Sequence, residues 1–253
     1  MRSMNDMNFR PTVAALMLAA ASSASAGEFP AVLSWADRSA LSLPVSGQVK
    51  QVHVRAGQEV TAGAPLVSLD TRILEARLGE ARAAVQSLER QRAEAEREAK
   101  RADELYARTV LSNVELEKAH IDRQRVEGQY QQARARLQVA DVERGYGQLK
   151  APFEARVLEV KVAAGEAISA AMQAPSLVEV ARADSIDAVA ILRADQMQGL
   201  TLGGKVEVDV DGHKGRGEVV SIESPREGGY RLVVRVARRD GWVAGMGGRI
   251  LAP

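Results

Sequence analysis

Two stretches of this 253-residue chain carry the same apolar pattern about a hundred residues apart. Residues 44–69 and 152–180 each alternate valine with polar side chains before a glycine. The matched pairs are Pro44 and Pro152, Val49 and Val157, Val52 and Val160, Val54 and Val162, Gly57 and Gly165, Val60 and Ile168, Leu66 and Leu177, and Leu69 and Val180. Period-two alternation predicts short strands with one apolar face, which a single copy cannot bury alone. We therefore predict a β-sandwich whose two halves pack on each other and extrude the segment between them.

The segment between the two copies, residues 71–148, is predicted to form two helices. Apolar residues recur there at alternating intervals of three and four, which is the heptad spacing of a coiled coil, interrupted at Arg92 and Arg123. The seam residues are Leu74, Leu78, Ala81, Val85, Leu88, Ala95, Ala99, Ala102 and Tyr106 in the first helix, and Leu116, Ala119, Val126, Tyr130, Ala133, Leu137 and Ala140 in the second. The pattern therefore indicates an antiparallel helical hairpin in which the helix faces outside the seam are exposed to solvent.

Local signals place the ends of these helices. Residues 112–115 read Ser-Asn-Val-Glu, a capping box that starts the second helix, and Gly145 and Gly147 mark its end. At 1.5 Å per residue such a hairpin projects on the order of 50 Å. We interpret it as an arm that reaches a partner.

Residues 182–253 predict a third unit, a small β-barrel. Short alternating runs are separated by the glycine pairs at 203–204 and 228–229, and residues 193–200 suggest one short helix. The predicted strands are residues 186–192, 205–210, 217–222, 230–236 and 248–251. Strands at 31–35 and 40–43 are expected to complete this barrel. In the first repeat, Gly57 and Gly63 are expected at turns with positive φ.

The N-terminus predicts export. Arg2 and Arg10 precede an apolar run at 13–21, and Ala-Ser-Ala follows at 24–26. This order is typical of a signal peptide, so we expect cleavage after residue 26 and a periplasmic mature protein. The alternative, an uncleaved anchor, is less favoured because the apolar run is shorter than the roughly 20 residues that span a bilayer.

The composition excludes several classes of function. Residues 27–253 carry equal numbers of basic and acidic side chains, and aromatic residues are only 4% of the chain, so a nucleic-acid partner is not expected. There is no cysteine, which excludes disulfides, thiol catalysis and thiolate metal sites.

The two repeats carry a family resemblance. Residues 47–63 read G-x-V-x-x-V-x-V-x-x-G-x-x-V-x-x-G, which resembles the first half of a biotinyl/lipoyl domain. Residues 149–165 resemble the second half, with Ala155 where glycine is usual. A split lipoyl-like fold with a hairpin inserted and a barrel after it resembles the periplasmic adaptor subunits, or membrane fusion proteins, of bacterial efflux pumps of the resistance-nodulation-division (RND) type.

The resemblance implies an elongated, mainly β fold with a long coiled-coil hairpin. The expected parts are a lipoyl-like sandwich (46–70 and 149–181), the hairpin (71–148) and the barrel (27–45 and 182–253), with the family's membrane-proximal domain missing or minimal. It implies a non-enzymatic adaptor that links an inner-membrane transporter to an outer-membrane channel. Several copies are expected to form a homo-oligomeric ring. An ABC-type exporter is an alternative partner, and a structural coiled-coil envelope protein is a further alternative.

A more local resemblance concerns the hairpin tip. Adaptors that dock on a channel carry an arginine, a leucine and a serine near the tip, and Arg101, Leu105 and Ser112 match that spacing. Arg101 and Leu105 lie one turn apart on one helical face. The resemblance therefore implies that these three residues dock on the channel. The alternative is that Ser112 only caps a helix and Arg101 is a solvated charge.

Other chemistries find little support in the sequence. A lipoyl carrier needs a lysine on the hairpin that residues 71–148 replace, and the nearby Lys150 is expected on the surface of a strand. The three histidines, His53, His120 and His213, are scattered, and the carboxylates show no catalytic pairing. The methionines Met172, Met197 and Met246 are too dispersed to suggest metal binding. We therefore predict no catalytic site, no metal and no cofactor.

Overall fold

The computed structural model describes residues 27–171, 173–224 and 229–252. The predicted signal peptide at 1–26, Met172 and the first glycine of the 228–229 turn lie outside them. The elements of the described residues are, in chain order, β1 (Glu28–Trp35), β2 (Ser39–Leu41), β3 (Gly47–Val52), β4 (Glu59–Val60), β5 (Pro65–Leu69), α1 (Arg72–Ala107), α2 (Asn113–Gly145), β6 (Gln148–Lys150), β7 (Ala155–Val160), β8 (Ala167–Ile168), β9 (Val178–Arg182), β10 (Ser185–Leu192), a 3₁₀ turn (Ala194–Met197), β11 (Lys205–Val210), β12 (His213–Glu223), β13 (Tyr230–Ala237) and β14 (Gly247–Leu251).

Six strands close into a barrel in the order β1-β10-β13-β12-β11-β14, and β14 pairs with β1. In β1, Phe29, Ala31 and Leu33 point into the core while Val32 between them is 54% exposed. The barrel core is otherwise aliphatic, with the buried Trp242 as its largest side chain. At the β11–β12 hairpin, Asp211 and Gly212 both have positive φ, which is the type I′ turn that Asp-Gly favours.

The two sequence repeats form a sandwich of two four-stranded sheets, β2-β9-β7-β4 and β6-β5-β3-β8. Its core contains the matched valine, leucine and isoleucine residues of both copies, with Val52 and Val160 at the rim. The halves also exchange equivalent hydrogen bonds: the Gly57 N–H donates to the Val157 carbonyl and the Gly165 N–H to the Val49 carbonyl, each at 2.8 Å. Both glycines have positive φ, +86° and +91°. The pairing of the repeats therefore follows an approximate two-fold symmetry.

The strand expected at 40–43 does not belong to the barrel, and that expectation is wrong. Its observed counterpart β2 pairs with β9 of the sandwich, with Leu41 opposite Val178. Leu43, 3% exposed, lies in the sandwich core. The barrel closes through the pairing of β1 with β14, so it offers no free edge to another strand.

The hairpin leaves the sandwich from two adjacent strands. Helix α1 follows β5 and α2 leads into β6, and β5 and β6 pair with each other. The helices have 36 and 33 residues, so the arm is about 50 Å long at 1.5 Å per residue. Neither described helix has an apolar stretch long enough to cross a bilayer.

Two chain crossings and a set of ion pairs join the barrel to the sandwich. The Arg182 N–H donates to the Ala36 carbonyl at 3.0 Å, so the two crossing segments bind each other. Beside them, Arg238, which directly follows β13, contacts Glu59 of the sandwich at 2.5 Å, and Arg156 contacts the same carboxylate at 3.0 Å. The Arg238 hydrogen bond is the main cause that lowers the pKa of Glu59. The junction is thus bridged by charge as well as by backbone.

Candidate functional site

The hairpin tip begins where α1 ends in a complete Schellman motif. The Thr109 N–H donates to the Tyr106 carbonyl at 2.9 Å, and the Val110 N–H donates to the Leu105 carbonyl at 3.0 Å. Thr109 has a φ of 61°, the left-handed conformation that this motif requires. The chain thereby reverses within the five residues from Arg108 to Ser112.

The second helix starts at the capping box predicted from the sequence. The Glu115 N–H donates to Ser112 Oγ at 3.3 Å, and the Ser112 N–H donates to Glu115 Oε2 at 3.1 Å. The Ser112 hydroxyl also donates to that carboxylate at 2.7 Å. These bonds, the side-chain bond first, lower the pKa of Glu115. Ser112 therefore caps α2, and it remains exposed to solvent at the turn.

The three residues predicted to dock lie at the free end of the hairpin in different settings. Arg101 lies one turn before Leu105; its side chain is 61% exposed and pairs with Glu98 at 2.8 Å. Leu105 is half-buried and continues the helix seam after the buried Ala102. Ser112 caps α2. The structure thus brings Leu105 and Ser112 to the turn and places Arg101 one helical turn before Leu105.

Three apolar residues at the tip were not predicted as part of the site. Tyr106, which the heptad spacing placed in the seam, is 45% exposed because Leu105 takes the seam position. Val110 and Val114 are 71% and 75% exposed, the highest values among the large apolar side chains of the described residues. The available signal was that neither valine fits the heptad pattern.

One predicted break in the seam is a polar link between the helices. Arg92 on α1 contacts Glu127 on α2 at 2.6 Å and lies over the Tyr130 ring, 5.1 Å from its centroid. The pKa of Glu127 is lowered by the hydrogen bond from Gln131 and then by Arg92. Arg123, the other predicted break, is exposed. The hairpin is therefore joined by one charged contact at mid-length as well as by small and aliphatic residues.

The remaining candidates for chemistry are dispersed over the molecule. His53 Nε2 lies 2.8 Å from Ser68 Oγ on the sandwich, and His120 Nε2 lies 2.8 Å from Asp103 Oδ1 between the helices. His213 begins β12 and is exposed. No cluster of three metal-ligating side chains exists among residues 27–171, 173–224 and 229–252. Two of the methionines, Met197 and Met246, pack against the barrel core.

Two positions of the repeat behave as their surroundings require. Lys150 ends β6 with its side chain exposed, as expected for a surface residue. Ala155, where the resemblance led us to expect glycine, begins β7 and is fully buried. An extended strand position does not require glycine, so the alanine is accommodated.

Comparison with known proteins identifies one family and several similar folds. Residues 41–180 match the sequence model described as "RND MFP, barrel-sandwich hybrid domain", which is more than half of the chain. The chain is 26% identical over 186 residues to the macrolide export protein MacA of Yersinia pestis, covering 68% of this chain and 50% of that protein. The chain thus spans about half the length of this curated relative.

Solved structures with a similar fold include two that contain MacA. MacA from Actinobacillus actinomycetemcomitans superimposes with a TM-score of 0.70 at 16% identity, over 90% of this chain and 78% of that one. A MacA–MexA chimera carrying the α-hairpin domain of Pseudomonas aeruginosa MexA gives a TM-score of 0.66 at 18% identity, over 89% and 79%. At these identities the likeness concerns the fold alone: a barrel, a sandwich and a helical hairpin.

Proposed function

The chain belongs to the RND membrane fusion protein family, whose members are adaptor proteins of efflux systems, and we propose that it links an inner-membrane exporter to an outer-membrane channel. The single observation that carries this proposal is the arrangement of the tip: a hairpin about 50 Å long ends in an exposed turn with Leu105 and Ser112. The two helices of this arm already bury each other's apolar seam, so the arm is not needed to cover another part of the protein.

The sandwich is best explained as a split lipoyl-like domain. The equivalent hydrogen bonds of Gly57 and Gly165 support this, because they relate the two halves as the two halves of that domain are related. The hairpin, a coiled coil in this proposal, occupies the place of the carrier lysine. The protein then acts mechanically, with no catalytic residue, metal or cofactor of its own.

The proposed location is the periplasm, after cleavage of the signal peptide at 1–26. The barrel would face the inner-membrane transporter, and the hairpin tip would face the outer-membrane channel. Several copies side by side, in a homo-oligomeric ring, would enclose a conduit that one narrow hairpin cannot. The name of the relative from Yersinia pestis makes macrolides the first compounds to test.

Two classes of transporter are candidates for the inner-membrane partner. The description of the matched family names the RND class, which we propose first. An ABC-type exporter is the second candidate, since adaptors of that class also use hairpins with such tips. Purification of the tagged adaptor after cross-linking in its native cells, followed by mass spectrometry of the attached transporter, distinguishes the two.

We propose that Arg101, Leu105 and Ser112 dock on the channel. Because the chain has no cysteine, a Glu104→Cys variant offers one unique cross-linking position beside the tip. In that background, Arg101→Asp together with Leu105→Ser should abolish cross-linking to the outer-membrane channel and raise macrolide susceptibility. Arg125→Asp is the matched control, since Arg125 is 57% exposed and pairs with Asp122 three residues before it, as Arg101 does with Glu98.

The result that contradicts docking is specific. If the double variant cross-links to the channel and exports macrolides as the Arg125→Asp control does, the tip assignment is wrong. If both variants lose cross-linking equally, the effect belongs to hairpin charge in general and the three residues are not a site.

A further inference from the structure

Among the described residues, Thr109 is the one whose positive φ is not explained by its residue type. Three described non-glycine residues have positive φ: Asp37, Thr109 and Asp211. Aspartate tolerates this conformation because its short polar side chain binds the local backbone. Threonine is β-branched, and its side chain crowds the backbone there. The turn at the hairpin tip is therefore strained at Thr109.

The strain at Thr109 is not offset by any contribution of its side chain to the stability of the hairpin. Both hydrogen bonds of the Schellman motif use backbone groups, so glycine would keep them. The Thr109 residue is exposed, so its side chain fills no core space. Strained residues that the fold does not need are found at functional positions.

The surroundings of Thr109 indicate what its side chain is for. It lies between Leu105 and Ser112, and the next residue, Val110, is 71% exposed. An apolar residue at the position of Val110 frequently packs back on the helix end, yet here most of its surface faces solvent. With Val114 the tip presents the two most exposed large apolar side chains of the described residues. The end of the arm therefore combines exposed apolar side chains with the hydroxyl groups of Thr109 and Ser112, and the Ser112 hydroxyl is already bonded to Glu115.

We infer that Thr109 is a specificity-determining contact residue, which rests on the proposed function. Its partner is the outer-membrane channel. The chemistry of the tip fits an apolar cleft between helix ends with a hydrogen-bonding group in reach of the Thr109 hydroxyl. Val110 and the Thr109 methyl enter the cleft, and the hydroxyl discriminates channels that offer that group from those that do not.

The test is Thr109→Gly in the Glu104→Cys background, with Asp211→Gly as the matched control. The control likewise replaces a positive-φ residue by glycine at an exposed turn, but on the barrel. For Thr109→Gly we expect an unchanged or higher melting temperature and a loss of channel cross-linking of about fivefold to tenfold, since a desolvated polar contact is removed. Asp211→Gly should leave cross-linking unchanged.

Two results overturn the inference. Wild-type cross-linking by Thr109→Gly would show that the side chain makes no contact, and a lower melting temperature would show that it serves the fold. The proposed function is judged separately by Arg101→Asp with Leu105→Ser. If that variant abolishes cross-linking while Thr109→Gly does not, only the role of Thr109 is wrong; if neither has an effect, docking through the tip is wrong as well.

Discussion

Replacing Arg235 by methionine should destabilise the barrel far more than its exposure suggests. Arg235 on β13 contacts Asp187 at 2.9 Å and Asp37 at 2.7 Å, and the side chain of Asp187 is only 12% exposed. The hydrogen bond with Asp187 is the main cause that raises the pKa of Arg235. Arg235→Met therefore leaves a buried carboxylate without its cation.

The magnitude follows from the burial of each partner. Removing one side of a buried ion pair costs about 3 to 5 kcal/mol, because the other charge stays desolvated. Arg235 is itself 30% exposed, and Asp37, 44% exposed, can turn to water at little cost. We therefore expect a loss of about 2 to 3 kcal/mol in the free energy of unfolding.

Urea unfolding monitored by tryptophan fluorescence measures this loss. The chain has two tryptophans: Trp242 is buried in the barrel, and Trp35 ends β1. The matched control is Arg231→Met on the same strand, since Arg231 is 42% exposed and its ion pair among the described residues is with the exposed carboxylate of Glu223. The control should cost less than about 1 kcal/mol. Equal losses from the two variants would refute the argument from buried charge.

A double substitution separates charge burial from packing. In Arg235→Met with Asp187→Leu, no buried charge is left without a partner, so part of the lost stability should return. If the stability loss of the double variant equals the sum of the losses from Arg235→Met and Asp187→Leu alone, the two residues are not coupled. The argument from buried charge is then wrong.

Two further predictions concern the cap and the repeat. Ser112→Ala should lower hairpin stability by about 1 kcal/mol, measured by helical circular dichroism. Because Glu115 has a lowered pKa, the wild-type cap is fully present above the ordinary glutamate value of 4.5 and is lost as the pH falls through the lowered one; a loss that is the same at every pH would contradict this. Gly57→Ala and Gly165→Ala should each cost about 1 kcal/mol and cost nearly the same, because the positions are equivalent; urea midpoints test this, and a neutral result at either one would contradict the symmetry.

Much of this molecule follows from local patterns. The period-two repeats predicted a sandwich made of two matching halves, and the spacing of three and four predicted the hairpin between them. The capping box at Ser112 gave the start of α2 to the residue. These features could be predicted because the spacing of neighbouring residues specifies the apolar face of a strand or a helix. A capping box is likewise specified by the four residues that form it.

The failures share a cause. The strand at 40–43 was predicted in the barrel because its alternation fits either unit. In the folded protein β1 and β14 close the barrel, so this strand pairs with β9 of the sandwich instead. Tyr106 was placed in the seam because both it and Leu105 fit a spacing of three or four from Ala102. Local spacing permits both solutions, and packing selects one.

What the sequence by itself determined is therefore the parts: two half-sandwiches, an arm and a barrel, with the family to which they belong. The tertiary structure decided how the parts are joined and what their ends present. Arg235 binds carboxylates 48 and 198 residues away, and Arg238 binds Glu59 across 179 residues. The left-handed conformation of Thr109 is likewise visible only in the folded turn. Ion pairs and strain depend on distances and angles between groups, and no spacing along the chain specifies those.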